Sequence, residues 1–283
     1  MNVAYLNGRK CEDLRQISVY NPSFLYGINV FEGIRSYWTG EETRFFDIDE
    51  HLQRLFVSVE FIKFKVSISI NDLKNELIQI FQKEKIAEDT YIRITFFINS
   101  ESTWSEQSNI GRLISIRSMK TNLGNATETN LLISSFNRIS SRSMPPSIKA
   151  GANYLNSRYA LLEAKRKGFE GALFICERGL VSESTGSCIF FIKDECVYTP
   201  SENSDILVGI TRNRIISLCN DSRIKVYETD LTPSLIYSFE AAFLAGTMIE
   251  IKPISQIEGK QFVTSTHHIY KRIIELLKHY IYG

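Results

Sequence analysis

Lys149 stands in the stretch IKAGANYLNSR (148–158), among small neutral residues and with no acid beside it to pair with. An unpaired ammonium is so costly to bury that a buried one gives up its proton. The neutral amine that results is what a Schiff-base lysine requires. On a solvated loop the same residue is an ordinary surface charge, and the local sequence leaves both readings open. VGITRNR (208–214) places Gly209 and Thr211 at the start of a helical run. Free amides and the helix dipole make such a start an anion site, although a plain N-cap reads equally well. LAGTMIE (244–250) ends an apolar run with Gly246 and Thr247, either a turn or a close backbone approach with a hydroxyl beside it. Arg54 in EHLQRLF is a solvated helix edge, or else the full cation that a phosphate needs where a helix end supplies only about half a charge. Glu183 in GLVSESTGS lies between strand-like runs; exposed it is ordinary, and buried it needs a cationic partner.

The elements that must position these residues are legible as patterns. VAYLNGRKC carries an Asn7-Gly8 turn between short strands, and VFEGIRSYWTGEETRFF reads as two strands around Thr39-Gly40. A helix opens at DIDEHLQRLFVSVEFIKF, with Asp47 as expected N-cap and Glu50 three residues on. Leu52, Leu55, Phe56, Val59 and Ile62 form its buried face, and a second helix from Asn71 turns Leu73, Leu77, Ile78 and Phe81 inward. TYIRITFFIN alternates as a strand, with Ile92, Ile94, Phe96 and Ile98 on one side and Tyr91, Arg93, Thr95 and Phe97 on the other. RLISIRSM and LLISSF are further strands, and the polar, turn-rich KTNLGNATETN (120–130) reads as an inter-domain linker. A helix is expected from about Asn153 to Lys167 with Gly168 as its stop. Strands follow at ALFICER, GSCIFFI, CVYTP, IKVYETD and AAFLAG, with helical starts at GITRNRIISLC and TPSLIYSF. Strands and helices in runs, without strict alternation, predict an α+β fold.

The chain has 283 residues, enough for two domains, with 43% apolar and 23% charged residues and a formal net charge of +1. That balance argues against nucleic acid or an acidic membrane surface as a partner. No apolar run approaches the ~18 residues of a membrane span, and the N-terminus reaches polar residues too early for a signal peptide. Five scattered cysteines without a C-x-x-C pair fit a reducing, cytoplasmic setting. Four histidines without metal-ligand spacing leave no expectation of a metal.

Taken in order, the stretches YGINVFEGIRSY, DEHLQRLFVS, YIRITFF, KAGANYLNSRYALLEAKRKGF, GLVSESTGSCIFFIKD, VGITRNRII and FLAGTMIEIKPISQIEG resemble the fold-type IV pyridoxal-phosphate enzymes, most closely the branched-chain amino acid aminotransferases. The resemblance runs from about residue 20 to 260. It implies a two-domain α+β chain: a smaller N-terminal α/β domain (1–119), the linker (120–130), and a larger C-terminal cofactor-binding domain with a β-barrel-like core (131–283). It further implies pyridoxal 5'-phosphate as cofactor, amino acid and 2-oxo acid as small-molecule partners, and a homodimer or higher homo-oligomer.

By position in these motifs, Lys149 matches the lysine that carries the cofactor and moves the proton in transamination. Tyr154 matches the tyrosine on the cofactor's ring oxygen, and Glu183 the acid beside the pyridine nitrogen. Arg54, Ile210, Thr211 and Thr247 match the phosphate cradle. Phe31, Gly33, Tyr91 and Arg93 match the substrate pocket, Arg35 lies in the same motif, and amides around Thr247 and Met248 match the substrate-carboxylate site. Three departures bear on the substrate: GTMIE where the family often has GTAAE, SESTGSC for SEGAGEN, and NSESTWSEQSN in place of a glycine-rich stretch that helps cover the site, including that of a neighbouring subunit. The implied activity is transamination of a small hydrophobic, branched-chain-type amino acid with a 2-oxo acid such as 2-oxoglutarate. The same scaffold carries D-amino acid aminotransferases, an aminodeoxychorismate lyase that eliminates pyruvate, and specialised biosynthetic transaminases. A non-catalytic phosphate binder would have no use for Lys149.

Overall fold

The computed structural model describes residues 2–11 and 17–283. Residues up to Thr121, together with Ile148–Ala152, form one compact unit; Asn122–Ser147 and Asn153–Gly283 form the other. The first contains β1 (Asn2–Leu6), β2 (Arg9–Lys10), α1 (Pro22–Tyr26), β3 (Asn29–Trp38), β4 (Thr43–Phe45), α2 (Ile48–Phe61), α3 (Ile70–Lys83), β5 (Thr90–Ile98) and β6 (Ile110–Ser118). Its strands make an antiparallel sheet in the order β2-β1-β6-β5-β3-β4. Period-two alternation buries Val30, Ile34, Ile92, Ile94 and Phe96 on one face, against Leu52 and Leu55 of α2 and Leu73 and Leu77 of α3. Each such leucine contributes about 1.5–3 kcal/mol by leaving water.

Helix starts differ in detail from their sequence signals. Asp47 stands at the N-cap position of α2, but its backbone is left-handed (φ 45°), so its side chain makes no capping hydrogen bond. α3 begins one residue earlier than expected, with a reciprocal capping box between Ser69 and Asp72. Its inward face is the stripe of Leu73, Leu77, Ile80 and Phe81, and Ile78, about 100° round the helix from Leu77, is only partly buried.

The segment around Lys149 belongs with the first unit. The Phe31 amide donates to Lys149 O (3.0 Å), the Gly151 amide donates to Asn29 O (2.9 Å), and Ala150 bridges Val30 antiparallel. The proline-rich connection therefore returns five residues to the edge of β3 before the chain resumes the second unit.

That second unit contains β7 (Thr129–Ile133), α4 (Tyr154–Arg166), β8 (Gly171–Ile175), β9 (Val181–Ser184), β10 (Cys188–Lys193), β11 (Cys196–Pro200), α5 (Ile210–Asp221), β12 (Val226–Thr229), β13 (Ala241–Gly246), β14 (Glu250–Ile257), β15 (Lys260–Gln261) and α6 (His268–Tyr282). A mixed sheet runs β12-β11-β10-β13-β14-β7-β8-β9, with β15 on β14. It curls so that β9, hydrogen-bonded to β8, also lies beside β10 and β11. Leu131, Leu173, Val181, Ile189, Phe191, Ala242 and Ile254 fill the interior. The stretch TPSLIYSF is a 3-10 turn over Pro233–Ser238 rather than an α-helix. Among the described residues, no helix is long and apolar enough to cross a membrane and no cluster of His, Cys, Asp or Glu could hold a metal.

Candidate active site

In the first unit, antiparallel register puts Gly33 opposite Arg93 and Arg35 opposite Tyr91. Phe31, Gly33, Arg35, Tyr91 and Arg93 therefore share the face of the sheet turned away from the α2–α3 core. The next rung adds Arg117, opposite Tyr91, with its guanidinium 5.1 Å from the Tyr91 ring centre. Arg93 lies flat over the Phe31 ring at 3.5 Å, and Lys149 Nζ lies 5.1 Å from the centre of the same ring. One aromatic side chain thus gathers the candidate amine and a guanidinium. Arg35 is fully buried, with its guanidinium 5.2 Å from the Tyr37 ring centre.

Gly33 is where a glycine is needed for space. A Cβ there would sit 2.3 Å from Tyr91 Oη. Gly33→Ala is therefore expected to push the buried Tyr91 side chain aside and cost about 1–3 kcal/mol by overpacking. Chemical denaturation checks this, and unchanged stability with Tyr91 in place would contradict it.

Lys149 is half-buried, and its backbone is pinned. The Ser58 hydroxyl accepts from the Lys149 amide (3.2 Å) and donates to Arg54 O (3.1 Å), so one side chain ties the lysine segment to α2 beside Arg54. Arg54 is gripped in turn by Glu32: Nε donates to Oε2 at 2.8 Å and Nη2 to Oε1 at 2.7 Å. Burial alone would raise the Glu32 carboxyl, but the Arg54 charge and the His51 ring beside it reverse that and hold it well below the usual carboxylate range. Glu32 escaped the sequence reading because it occupies a core position of β3, where an apolar residue is expected.

In the second unit, Glu183 lies on β9 rather than in a loop, and it is buried. Its partner is Arg138, whose Nη2 is 2.7 Å from Oε1; the Leu207 amide donates to the same oxygen at 3.2 Å. The cation that a buried Glu183 required is thus Arg138, in the connection NRISSRSMPP, which offered no periodic signal. Arg138 also approaches Asn156 Oδ1 of α4 at 3.5 Å, two residues from the half-exposed Tyr154.

Helix α5 opens at Gly209, which supplies no side-chain cap; a Cβ there would lie 2.8 Å from Cys188 Sγ. Ile210 and Thr211 form the first turn, and Thr211 Oγ1 is buried without a hydrogen-bond partner among the described residues. An orphaned hydroxyl beside free helix amides is the arrangement that an anionic oxygen would complete. Buried Arg212 anchors that turn through Pro200 O (2.9 Å) and Glu228 (2.8 Å). At the end of β13, Thr247, Met248 and Ile249 form a turn closed by Glu250, whose φ is 58° and whose Oε2 accepts from the Asn122 amide at 2.7 Å. Met248 is 46% exposed, whereas Ile249 packs on the interior cluster. Each unit thus carries residue types that suit part of a phosphorylated pyridine: the first an oriented arginine and a lysine beside an aromatic ring, the second an unsatisfied hydroxyl at a helix start and a paired buried carboxylate.

Residues 29–257 match the family described as amino-transferase class IV. The chain belongs to the class IV aminotransferases. It is 31% identical over 271 residues to the branched-chain-amino-acid aminotransferase of Escherichia coli, with 91% of this chain and 85% of the relative covered. It superposes on the branched-chain aminotransferase of Thermoproteus uzoniensis, solved with norvaline, at a TM-score of 0.91 and 30% identity, over 99% of this chain and 95% of that one. The branched-chain amino acid aminotransferase of Thermobaculum terrenum in its PLP form gives a TM-score of 0.93 and 28% identity, over 99% and 94%. The enzyme thus has the fold-type IV architecture, and the α+β expectation holds for this aminotransferase.

Proposed function

We propose that the enzyme transfers the amino group of a small apolar, branched-chain-type amino acid to a 2-oxo acid such as 2-oxoglutarate, using pyridoxal 5'-phosphate bound by Lys149. The observation that carries this reading is the sheet face on which Lys149 Nζ and Arg93 both lie against Phe31, with Gly33 making room for Tyr91. Aromatic surface suits an apolar substrate side chain, and the arginines at 93 and 117 suit the carboxylates of amino acid and 2-oxo acid.

Bound pyridoxal 5'-phosphate would supply the electron sink and carry the amino group between the two half-reactions. The other tasks fall to the protein. Lys149 Nζ takes the proton from the substrate α-carbon and returns it one position away. Glu183, paired with Arg138, accepts a hydrogen bond from a protonated ring nitrogen. Tyr154 holds the ring oxygen. Arg54, the Ile210 and Thr211 amides and hydroxyl, and Thr247 take the phosphate. Amides at Thr247 and Met248 receive the substrate carboxylate, and the bulk of Met248 in place of a small residue bears on which side chains are accepted.

We further assign a cytoplasmic homodimer. In support, the cysteines are free, and exposed Tyr20, Phe24, Tyr26 and Trp104 lie on the first unit, with Tyr26 and Trp104 edge-on at 5.6 Å. Exposed aromatics in such number fit a covered surface.

The test is a set of half-reactions. Purified holoenzyme is mixed with single L- and D-amino acids, and conversion of the aldehyde to the pyridoxamine form is followed by absorbance. Leucine, isoleucine, valine and norvaline are expected to bleach the band as L-enantiomers, and 2-oxoglutarate to restore it. Bleaching by D-amino acids alone, or pyruvate release without need of a 2-oxo acid, would overturn the assignment.

A further inference from the structure

We infer that Glu32 and His51 are positioning residues for Arg54, fixing one edge of its guanidinium so that the opposite edge is set for the cofactor phosphate. This rests on the reading of Arg54 as a phosphate ligand. Glu32 lies between Val30 and Ile34 on the core face of β3, and all three are 0% exposed. An apolar residue would fill that position without desolvating a carboxylate, a cost that pairing often fails to repay. A buried ion pair is therefore a poor device for stability alone, and what it delivers is direction.

The direction is defined. Glu32 takes the Nε–H and one Nη2–H of Arg54 in a two-point fork. A guanidinium has five N–H bonds in one plane, so the other three lie on its remaining edges. The Arg54 side chain is 13% exposed, which places the group at the margin of the core and not sealed within it. Arginine is a rotamer-rich side chain, and ordering it in advance removes the entropy cost of fixing it from phosphate binding.

His51 completes the brace. It lies one turn before Arg54 on α2, is fully buried, and has Nδ1 3.3 Å from Glu32 Oε1. Its Nε2 meets no polar partner among the described residues. The ring stands directly against Oε1 and limits how far that oxygen can turn from Arg54. The opposite charges of Glu32 and Arg54 cancel, so the pair contributes orientation to the phosphate site more than net potential.

The experiment compares binding of pyridoxal 5'-phosphate and of pyridoxal, which lacks the phosphate, to apoenzyme by absorbance titration. Glu32→Gln is expected to weaken the phosphorylated ligand roughly 10- to 100-fold, because a misplaced ligating group loses that much and the new amide opposes guanidinium N–H with N–H. Pyridoxal affinity should change less than about twofold. His51→Leu should give a smaller loss with the same selectivity. In Arg54→Ala, adding Glu32→Gln should cause no further loss. Arg54→Lys, which leaves Glu32 untouched and serves if Glu32→Gln does not fold, should also lose the preference for the phosphorylated ligand, since an ammonium cannot be forked. Equal losses for both ligands, tighter binding in Glu32→Gln, additive losses in the double variant, or full preference kept in Arg54→Lys would each overturn the inference. If the wild type binds neither aldehyde, the cofactor reading itself fails, which is a different result.

Discussion

Lys149→Ala is expected to lose the absorbance band of lysine-bound pyridoxal 5'-phosphate and to lower transaminase turnover by about 100- to 10,000-fold, the range of a removed acid–base group. On the proposed mechanism the substitution takes away the amine that would hold the aldehyde and the base that would move the proton. It takes away little else. The backbone of residue 149 is held by the Ser58 hydroxyl and by the Phe31 amide, neither of which needs the side chain. The segment should therefore stay on the edge of β3 and stability should change little. Non-covalent binding of the phosphorylated ligand should persist through Arg54. A small primary amine added to the solution should restore part of the turnover, since geometry is intact and only the base is missing. Turnover within tenfold of wild type, with the band retained, would remove Lys149 from the mechanism.

Arg138→Leu is expected to cost about 3–5 kcal/mol, the scale for breaking a buried ion pair from one side. The Glu183 carboxylate would be left in the interior without its cation, still accepting from the Leu207 amide. Urea denaturation of the apoprotein measures this directly. The double variant Arg138→Leu/Glu183→Leu should recover most of the loss, because two apolar groups replace two charges and no unpaired ion remains. It should nevertheless bind pyridoxal 5'-phosphate without transaminase activity, having no acid for the ring nitrogen. Stability unchanged in the single variant, or activity kept in the double one, would show that Glu183 is held, or used, in some other way.

The sequence by itself determined the elements and the residue types. Alternation in TYIRITFFIN set the strand and which of its residues share a face, because a β-strand's side-chain period of two leaves no third arrangement. The glycine at 168 and the turn at Asn7-Gly8 were equally local decisions, made by backbone conformations that few residues adopt. The ordered motifs identified the family. What only the tertiary structure decided were the partners of the charged groups. Glu183 read as a loop residue because the four-residue strand around it is too short and too polar for periodicity to register. Arg138 lay in a connection with no pattern at all. Glu32 sat at an apolar position of β3, 22 residues in sequence from Arg54. Asp47 looked like a capping residue, yet the chain enters α2 through a left-handed turn that points its side chain elsewhere. Patterning is a short-range property, set by the pleat and the helical turn. Electrostatic pairing is long-range in sequence, and it is fixed only once folding has removed the water that would otherwise satisfy each charge alone.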